Sequence, residues 1–367
     1  MEALKLHEFH EALGGRFIEV NGMETVGDYG KGVEEYSALT TKAVFLDLSF
    51  RSRLCLTGSD RVRFLHGQVT NDIRRLGFGE GCYAAFVTPK GRMQSDLNVY
   101  CLADELLLDF EPGLTQRVAE RLERYIVADD VQVVDVAAHY GLLSVQGPKA
   151  SVVVRNLGLF SDVPLQSLRF LNTVNPTLGE LYLVNQPRLG TEGFDLFVPV
   201  PALGAIADML VAATQSVDGC ACGWQAWETA RIEAGIPRFG LDMDESNLPQ
   251  ECGIEQRAVS YTKGCYIGQE VLNRIHTIGH VNRELCALSL AGDLKSLPQK
   301  GDKLFQNGRE MGALSSVTVS PVTNQRIALA YVRREMNRVG TELVVLTAEG
   351  ESKAKIIIPS CRLQVAG

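Results

Sequence analysis

The chain predicts an α+β architecture: two copies of one α+β unit, followed by a small all-β domain. Three observations carry this reading. A strand, a glycine turn and a helix recur in the same order at two places in the first two thirds. Both copies run on into the same Gly-x4-Asp-Leu-x-Val string. From Glu284 onward, strict alternation replaces helical spacing.

The first copy opens with Leu54-Cys55-Leu56-Thr57-Gly58-Ser59-Asp60 and enters a helix from Arg61 to Val69. Val62, Leu65 and Val69 keep helical spacing, and Ser59 is a candidate N-cap. The second opens with Leu142-Leu143-Ser144-Val145-Gln146-Gly147-Pro148 and enters a helix from Lys149 to Leu157. There Ala150, Val153, Val154 and Leu157 form the apolar stripe, with Pro148 at the first helical position. Downstream, Gly91 precedes Asp96-Leu97-Asn98-Val99, and Gly190 precedes Asp195-Leu196-Phe197-Val198. Duplicated halves facing one another would bring Asp96 and Asp195 toward one cavity. The alternative for each acid is a solvent-facing strand opener or turn cap.

Between the copies, Leu114 to Tyr125 reads as a helix and Val131 to Val136 as a strand. Helices from Leu203 to Val211 and from Gly223 to Ala234 follow, the latter stopped by Gly235 and Pro237. The segment from Arg238 to Tyr261 is rich in Asp, Glu, Asn and Pro and reads as a long ordered loop, a feature that usually serves function. The predicted C-terminal domain, a barrel or a sandwich, has strands around Cys286–Leu290, Lys303–Gln306, Arg309–Leu314, Arg326–Val332, Glu342–Thr347 and Ala354–Pro359. Asn307-Gly308 marks a hairpin.

Composition narrows the function. The chain has 367 residues, 46% hydrophobic and 22% charged, with net charge -8 and pI near 5.4. Such an acidic balance argues against direct nucleic-acid binding across the surface. No apolar run approaches a membrane span. Met1 to His10 lacks the basic and apolar regions of a signal peptide, so a cytoplasmic location is predicted. Nine cysteines, an odd number, fit a reducing compartment rather than a disulfide framework. Cys220-x-Cys222, Cys252 and Cys265 leave a metal or cluster site open, although their spacing matches no zinc pattern.

The loop delivers the chain into Lys263-Gly264-Cys265-Tyr266-Ile267-Gly268-Gln269-Glu270. Few core segments hold so few apolar side chains. Ile267, Val271, Leu272 and Ile275 then share a helical face. A thiol just ahead of a helix and beside Lys263 is placed to be a low-pKa nucleophile or ligand. The alternative is an inert small hydrophobe in a glycine-bent loop.

This K-G-C-Y-x-G-Q-E string resembles the signature of the YgfZ group within the glycine-cleavage T-protein superfamily. Phe64-Leu65-His66-Gly67-Gln68-Val69-Thr70-Asn71-Asp72, Arg231-Ile232-Glu233-Ala234-Gly235-Ile236-Pro237, Pro249-Gln250-Glu251, Asp28-Tyr29 and Asp47-Leu48-Ser49 are similar to other segments of that superfamily, so the likeness covers nearly the whole chain. It implies three domains around a central tetrahydrofolate channel. Residues 1–140 would form the N-terminal segment and first unit, 141–282 the second unit with the signature loop, and 283–367 a C-terminal β-barrel. It further implies that Asp96 and Tyr100 lie by the reactive folate nitrogens and that Asp195, after Phe194, grips the pterin. Arg231 would support the folate site. Two departures stand out: Ser95 replaces a second Asp, and Asp195 replaces a Glu. Trp224 and Trp227 are open to ring stacking or to core packing.

Three function classes follow. The first is a folate-binding protein supporting iron–sulfur enzymes or their assembly machinery, with an indirect effect on tRNA modification; Cys265 is its reactive or ligand group and Lys263 tunes it. The second is a tetrahydrofolate-dependent aminomethyl or methyl transferase using Asp96. The third is a scaffold without a site.

Overall fold

The computed structural model describes residues 2–292 and 295–359. The duplication is real at the level of topology. The first half runs Ser52–Thr57, helix Arg61–Gln68, strands Glu80–Val87, Met93–Cys101 and Leu106–Phe110, helix Thr115–Glu123 and strand Gln132–Asp135. The second half repeats this order with Tyr140–Gln146, helix Ala150–Asn156, strands Phe170–Asn175, Gly179–Asn185 and Gly193–Pro199, helix Leu203–Gln215 and the short strand Cys220–Ala221.

Both sheets lay down their strands in the same sequence, with one difference. In the first, Ser52–Thr57 pairs directly with Gln132–Asp135. In the second, the early strand Val44–Asp47 is inserted at that place. It runs antiparallel to Tyr140–Gln146, with Phe45 opposite Val145, and parallel to Cys220–Ala221.

The turn after each opening strand needs glycine for a visible reason. Gly58 has φ +93, and a Cβ there would meet the Asp130 carbonyl oxygen at 2.1 Å. Gly147 has φ +121, and a Cβ would meet the Lys42 carbonyl oxygen at 2.7 Å. Helices then cover one face of each sheet. Phe64, Leu65, Val118 and Leu122 pack on Leu54, Leu56, Val99 and Leu108. Val153, Val154, Ile206 and Leu210 pack on Leu143, Val145 and Leu196. Each of these fully buried side chains contributes about 1.5–3 kcal/mol. The uncovered faces meet each other, with Cys55, Tyr100 and Leu107 of the first half in one cluster with Leu46, Leu142 and Phe197.

The C-terminal strands close into a six-stranded barrel rather than a sandwich. Arg283–Leu290 pairs with both Arg326–Arg333 and Gly350–Ile357, which removes the sheet edge. Leu288, Leu304, Leu314, Val345 and Ile356 fill it. Helix Trp224–Glu233 docks the barrel, with Ile232 against Ala287, Ile327 and Leu329. The segment from Arg238 to Tyr261 holds only the short helix Glu255–Ala258, yet it is ordered by burial of Phe239, Met243, Cys252 and Ile254 against Val87 and Met93. Among the described residues, no helix is long and apolar enough to cross a membrane.

Candidate functional site

Where the two halves meet, a run of alternating buried charges crosses the molecule. Arg188 sits in the turn Pro187–Gly190 that leads into strand Gly193–Pro199. Its Nη2 donates to Asp109 Oδ2 of the first half at 2.9 Å and to Asp195 Oδ2 of the second at 2.6 Å. Its Nε adds a bond to Asp195 Oδ2 at 3.0 Å. Arg51 Nε reaches Asp109 Oδ1 at 2.7 Å, and its Nη1 reaches Glu111 Oε1 at 3.2 Å. Arg238 joins Glu111 Oε2 to Glu228 Oε2. Arg231 continues from Glu228 to Asp242, and Ser315 and Ser316 of the barrel donate to Asp242.

Burial alone would raise the Asp109 carboxyl, but Arg51 and Arg188 outweigh it and hold it well below the usual carboxylate range. Burial likewise lowers Arg188, and Asp195 and Asp109 more than reverse that.

Above this floor lies a cavity of about 1050 Å³. Trp224, Trp227, Phe194, Ile236 and Pro237 supply apolar wall, and the acids lining it are Asp96, Glu111 and Glu192. The two indoles stack at 6.2 Å, so they are both packed and cavity-lining, and the Arg238 guanidinium lies 4.7 Å over the Trp224 ring. Asp96 Oδ2 accepts from the Tyr83 hydroxyl at 2.7 Å, while Oδ1 has no hydrogen-bond partner among the described residues. Its carboxyl is raised to about 6, first by burial and then by the nearby Glu111 charge; the Tyr83 bond and Arg51 oppose the shift. A buried carboxylate so poorly supplied with donors is the kind of group that function explains.

The residues singled out from the sequence divide into three groups. Asp96, Phe194 and Arg231 line the cavity. Asp195 and Tyr100 do not. Asp195 is fully buried with its oxygens held by Arg188 and Ser144, so it has no donor-accepting edge to offer a ligand. Tyr100 is buried edge-on between Phe170 and Phe197. The expected Asp96–Asp195 pairing fails for a topological reason. Asp96 lies on the second strand of the first half's three-stranded run, Asp195 on the third of its own. The third strand of the first half carries Asp109, and Asp109 and Asp195 are the acids that meet. Arg231, although at the wall, is engaged by Glu228, Asp242, Ser316 and the Ile236 carbonyl.

Lys263 and Cys265 form the third group and are not part of the cavity lining. Cys265 is exposed on the loop before helix Gln269–Ile278. Lys263 is buried, and its Nζ donates to the carbonyls of His66 at 2.5 Å, Val69 at 2.7 Å and Asn71 at 2.8 Å. Burial lowers it to about 8. The ammonium thus closes the C-terminal end of helix Arg61–Gln68 instead of aiming at the thiol. Lys263→Met is expected to destabilise the protein by about 2–3 kcal/mol, because buried carbonyls lose their donor. A urea midpoint within error of wild type would contradict this assignment. Cys222 and Cys252 are buried in separate clusters, and no group of three or more metal-ligating side chains is gathered among the described residues.

Sequence reasoning missed Tyr83, Arg51, Glu111, Arg188 and Arg238. Only Tyr83 left a signal, as a polar-tipped ring in the strand Glu80–Val87. The others acquire meaning through at least one partner distant in sequence: Arg51 with Glu111 60 residues on, Arg188 with Asp109 79 residues back and Arg238 with Glu111 127 residues back.

Residues 6–263 match the GCVT N-terminal domain family, and residues 283–360 match the glycine cleavage T-protein C-terminal barrel domain. An aminomethyltransferase of Halalkalibacterium halodurans is 26% identical over 353 residues, covering 96% of this chain and 95% of the relative. That of Rubrobacter xylanophilus is 28% identical, covering 90% and 87%. The glycine cleavage system aminomethyltransferase T of Bartonella henselae superposes with a TM-score of 0.88 at 21% identity, over 100% of this chain and 99% of that one, a likeness of fold.

Proposed function

The chain belongs to the glycine cleavage T-protein family, and from that membership we propose that its central cavity binds tetrahydrofolate and that it is an aminomethyl or related one-carbon transferase. The relatives named aminomethyltransferase along nearly their full length support this over the iron–sulfur helper role that the signature loop suggested first. The observation that carries the reading is Asp96: a cavity-lining carboxylate with one donor, Tyr83, and an oxygen that no described residue satisfies.

The lining fits the group. Trp224, Trp227 and Phe194 offer flat apolar wall to a fused ring. Asp96 offers an acceptor for a ring or bridge N–H. Tetrahydrofolate, when bound, supplies the nitrogens that take up a one-carbon unit. The protein's part is to position them and to move a proton. With a value near 6, Asp96 is mostly ionised at neutral pH and can accept a proton at the carboxylate. Tyr83 fixes the orientation of that carboxylate through Oδ2. Arg51 and Glu111 behind it set the local field. Ser95 does not add a second acid; its hydroxyl bonds the Asp96 carbonyl at 2.9 Å.

Titration calorimetry with tetrahydrofolate tests the binding half. Micromolar affinity is expected, and no heat up to millimolar ligand would remove the reading.

A second reading rests on Cys265, whose exposure outside the cavity suits encounter with iron–sulfur proteins or their assembly machinery. Under it, a Cys265→Ala strain loses iron–sulfur enzyme activity during oxidative stress while folate binding persists. Unchanged enzyme activity in that strain would eliminate it.

A further inference from the structure

Seven arginines line the cavity, and six have a carboxylate beside them. At the outer wall, Arg155 faces Asp162 and Arg169 faces Glu80. At the floor, the remaining four belong to the charge run already described. Arg257 is the exception among the described residues: no acid pairs with it. Its guanidinium lies 4.8 Å over the Tyr83 ring, the same ring whose hydroxyl holds Asp96. The cation sits over the ring face, and no described residue accepts a hydrogen bond from its N–H groups. Among the partly or fully buried charges of the lining, Asp96 and Arg257 are therefore the two that form no ion pair with a described residue.

Their separation is bounded. Through Tyr83, ordinary covalent dimensions place the Arg257 guanidinium within about 10 Å of the Asp96 carboxylate. A ligand that satisfies both must present an N–H or amine at one end and an anion no further than roughly that span from it. Tetrahydrofolate has this layout: its aminobenzoyl spacer sets the glutamyl carboxylates roughly 8 Å from the bridge nitrogen.

We propose that Arg257 anchors the carboxylate tail of the ligand whose nitrogen end meets Asp96, and so selects folates bearing a glutamyl tail over bare pterins. This rests on the folate reading above. A charge-assisted, two-pronged Arg–carboxylate contact supplies affinity and fixes the depth at which the rings enter the cavity. Tyr83 links the two ends, so the same ring orients the acid and supports the anchor. Because Arg257 is partly exposed, the contact is screened by salt.

The test compares tetrahydrofolate with 6-methyltetrahydropterin, which lacks the tail, against wild type, Arg257→Gln and Arg257→Lys, each checked for a wild-type circular dichroism spectrum and melting curve. The expected result is a 5- to 20-fold weaker tetrahydrofolate affinity in Arg257→Gln, an unchanged pterin affinity, and partial recovery in Arg257→Lys. Added salt should weaken tetrahydrofolate binding to wild type and leave the Gln variant nearly flat. Equal weakening of both ligands would overturn the proposal, because Arg257 would then act only through Tyr83. Equal tetrahydrofolate affinity in wild type and Gln variant would overturn it as well. If wild type binds neither ligand, the folate reading fails first and takes the anchor with it.

Discussion

Replacing Arg188 by methionine is expected to cost about 3–5 kcal/mol of stability at pH 7, because two buried carboxylates, Asp109 and Asp195, lose the cation they share. A domain's whole stability is about 5–15 kcal/mol, so this one change leaves the fold marginal. The deficit has a pH signature. In wild type Asp109 is depressed on folding, so its contribution is present above the unfolded carboxylate value near 4 and disappears as pH falls through the lower folded value. Without Arg188 the folded carboxylates bind protons more readily than before. The variant's shortfall should therefore be largest at pH 7 and shrink toward pH 4 to 5. Urea titrations of both proteins across that range decide it, and a deficit under 1 kcal/mol, or one flat with pH, would contradict the ionic account.

The second large effect is catalytic. Asp96→Asn keeps the shape of the carboxylate, and its amide can still accept from Tyr83, but it cannot take a proton. Transfer to tetrahydrofolate should fall by about 10²–10⁴, the usual range for a lost general base. In wild type, kcat/KM should drop as pH falls through about 6, where Asp96 becomes protonated. That acidic limb should be absent from the residual activity of the Asn variant. Folding is not at risk, since a carboxyl raised by burial is more stable neutral than charged. An Asn variant with full activity, or one that keeps the limb, would remove Asp96 from the chemistry.

Much of the architecture was legible because it is written in short-range pattern. Alternation located every barrel strand, and Asn307-Gly308, at φ 51 and 77, makes the predicted hairpin. The repeat was legible in the strand, Gly58 or Gly147 turn, and helix, since each turn admits nothing larger. It misled at Asp96 and Asp195, where four shared residues, Gly, Asp, Leu and Val, aligned a second strand with a third. Hydrogen-bond partnership between strands decides equivalence, and a string match contains none of it. The site was half legible for the same reason. Asp96 and Phe194 stood out by motif, but Asp195 gave no sign that Arg188 would cover it. Lys263 and Cys265 are neighbours in sequence, yet the ammonium is drawn to three carbonyls at and just beyond the end of a helix nearly 200 residues earlier.

The strand Val44–Asp47 has a consequence for how the protein is made. Its neighbours in the sheet, Tyr140–Gln146 and Cys220–Ala221, leave the ribosome roughly a hundred and more residues later. At about 5–20 residues per second, Val44, Phe45 and Leu46 wait on the order of 5–20 s for a partner. The first half, by contrast, has all its own strands by Asp135 and can close while the nascent chain still carries this apolar segment unpaired. Synthesis thus passes through a stage with a finished half and a sticky leading arm. That stage, rather than the mature molecule, is where chaperone capture or aggregation should concentrate, and slowing translation between residues 47 and 146 should lengthen it.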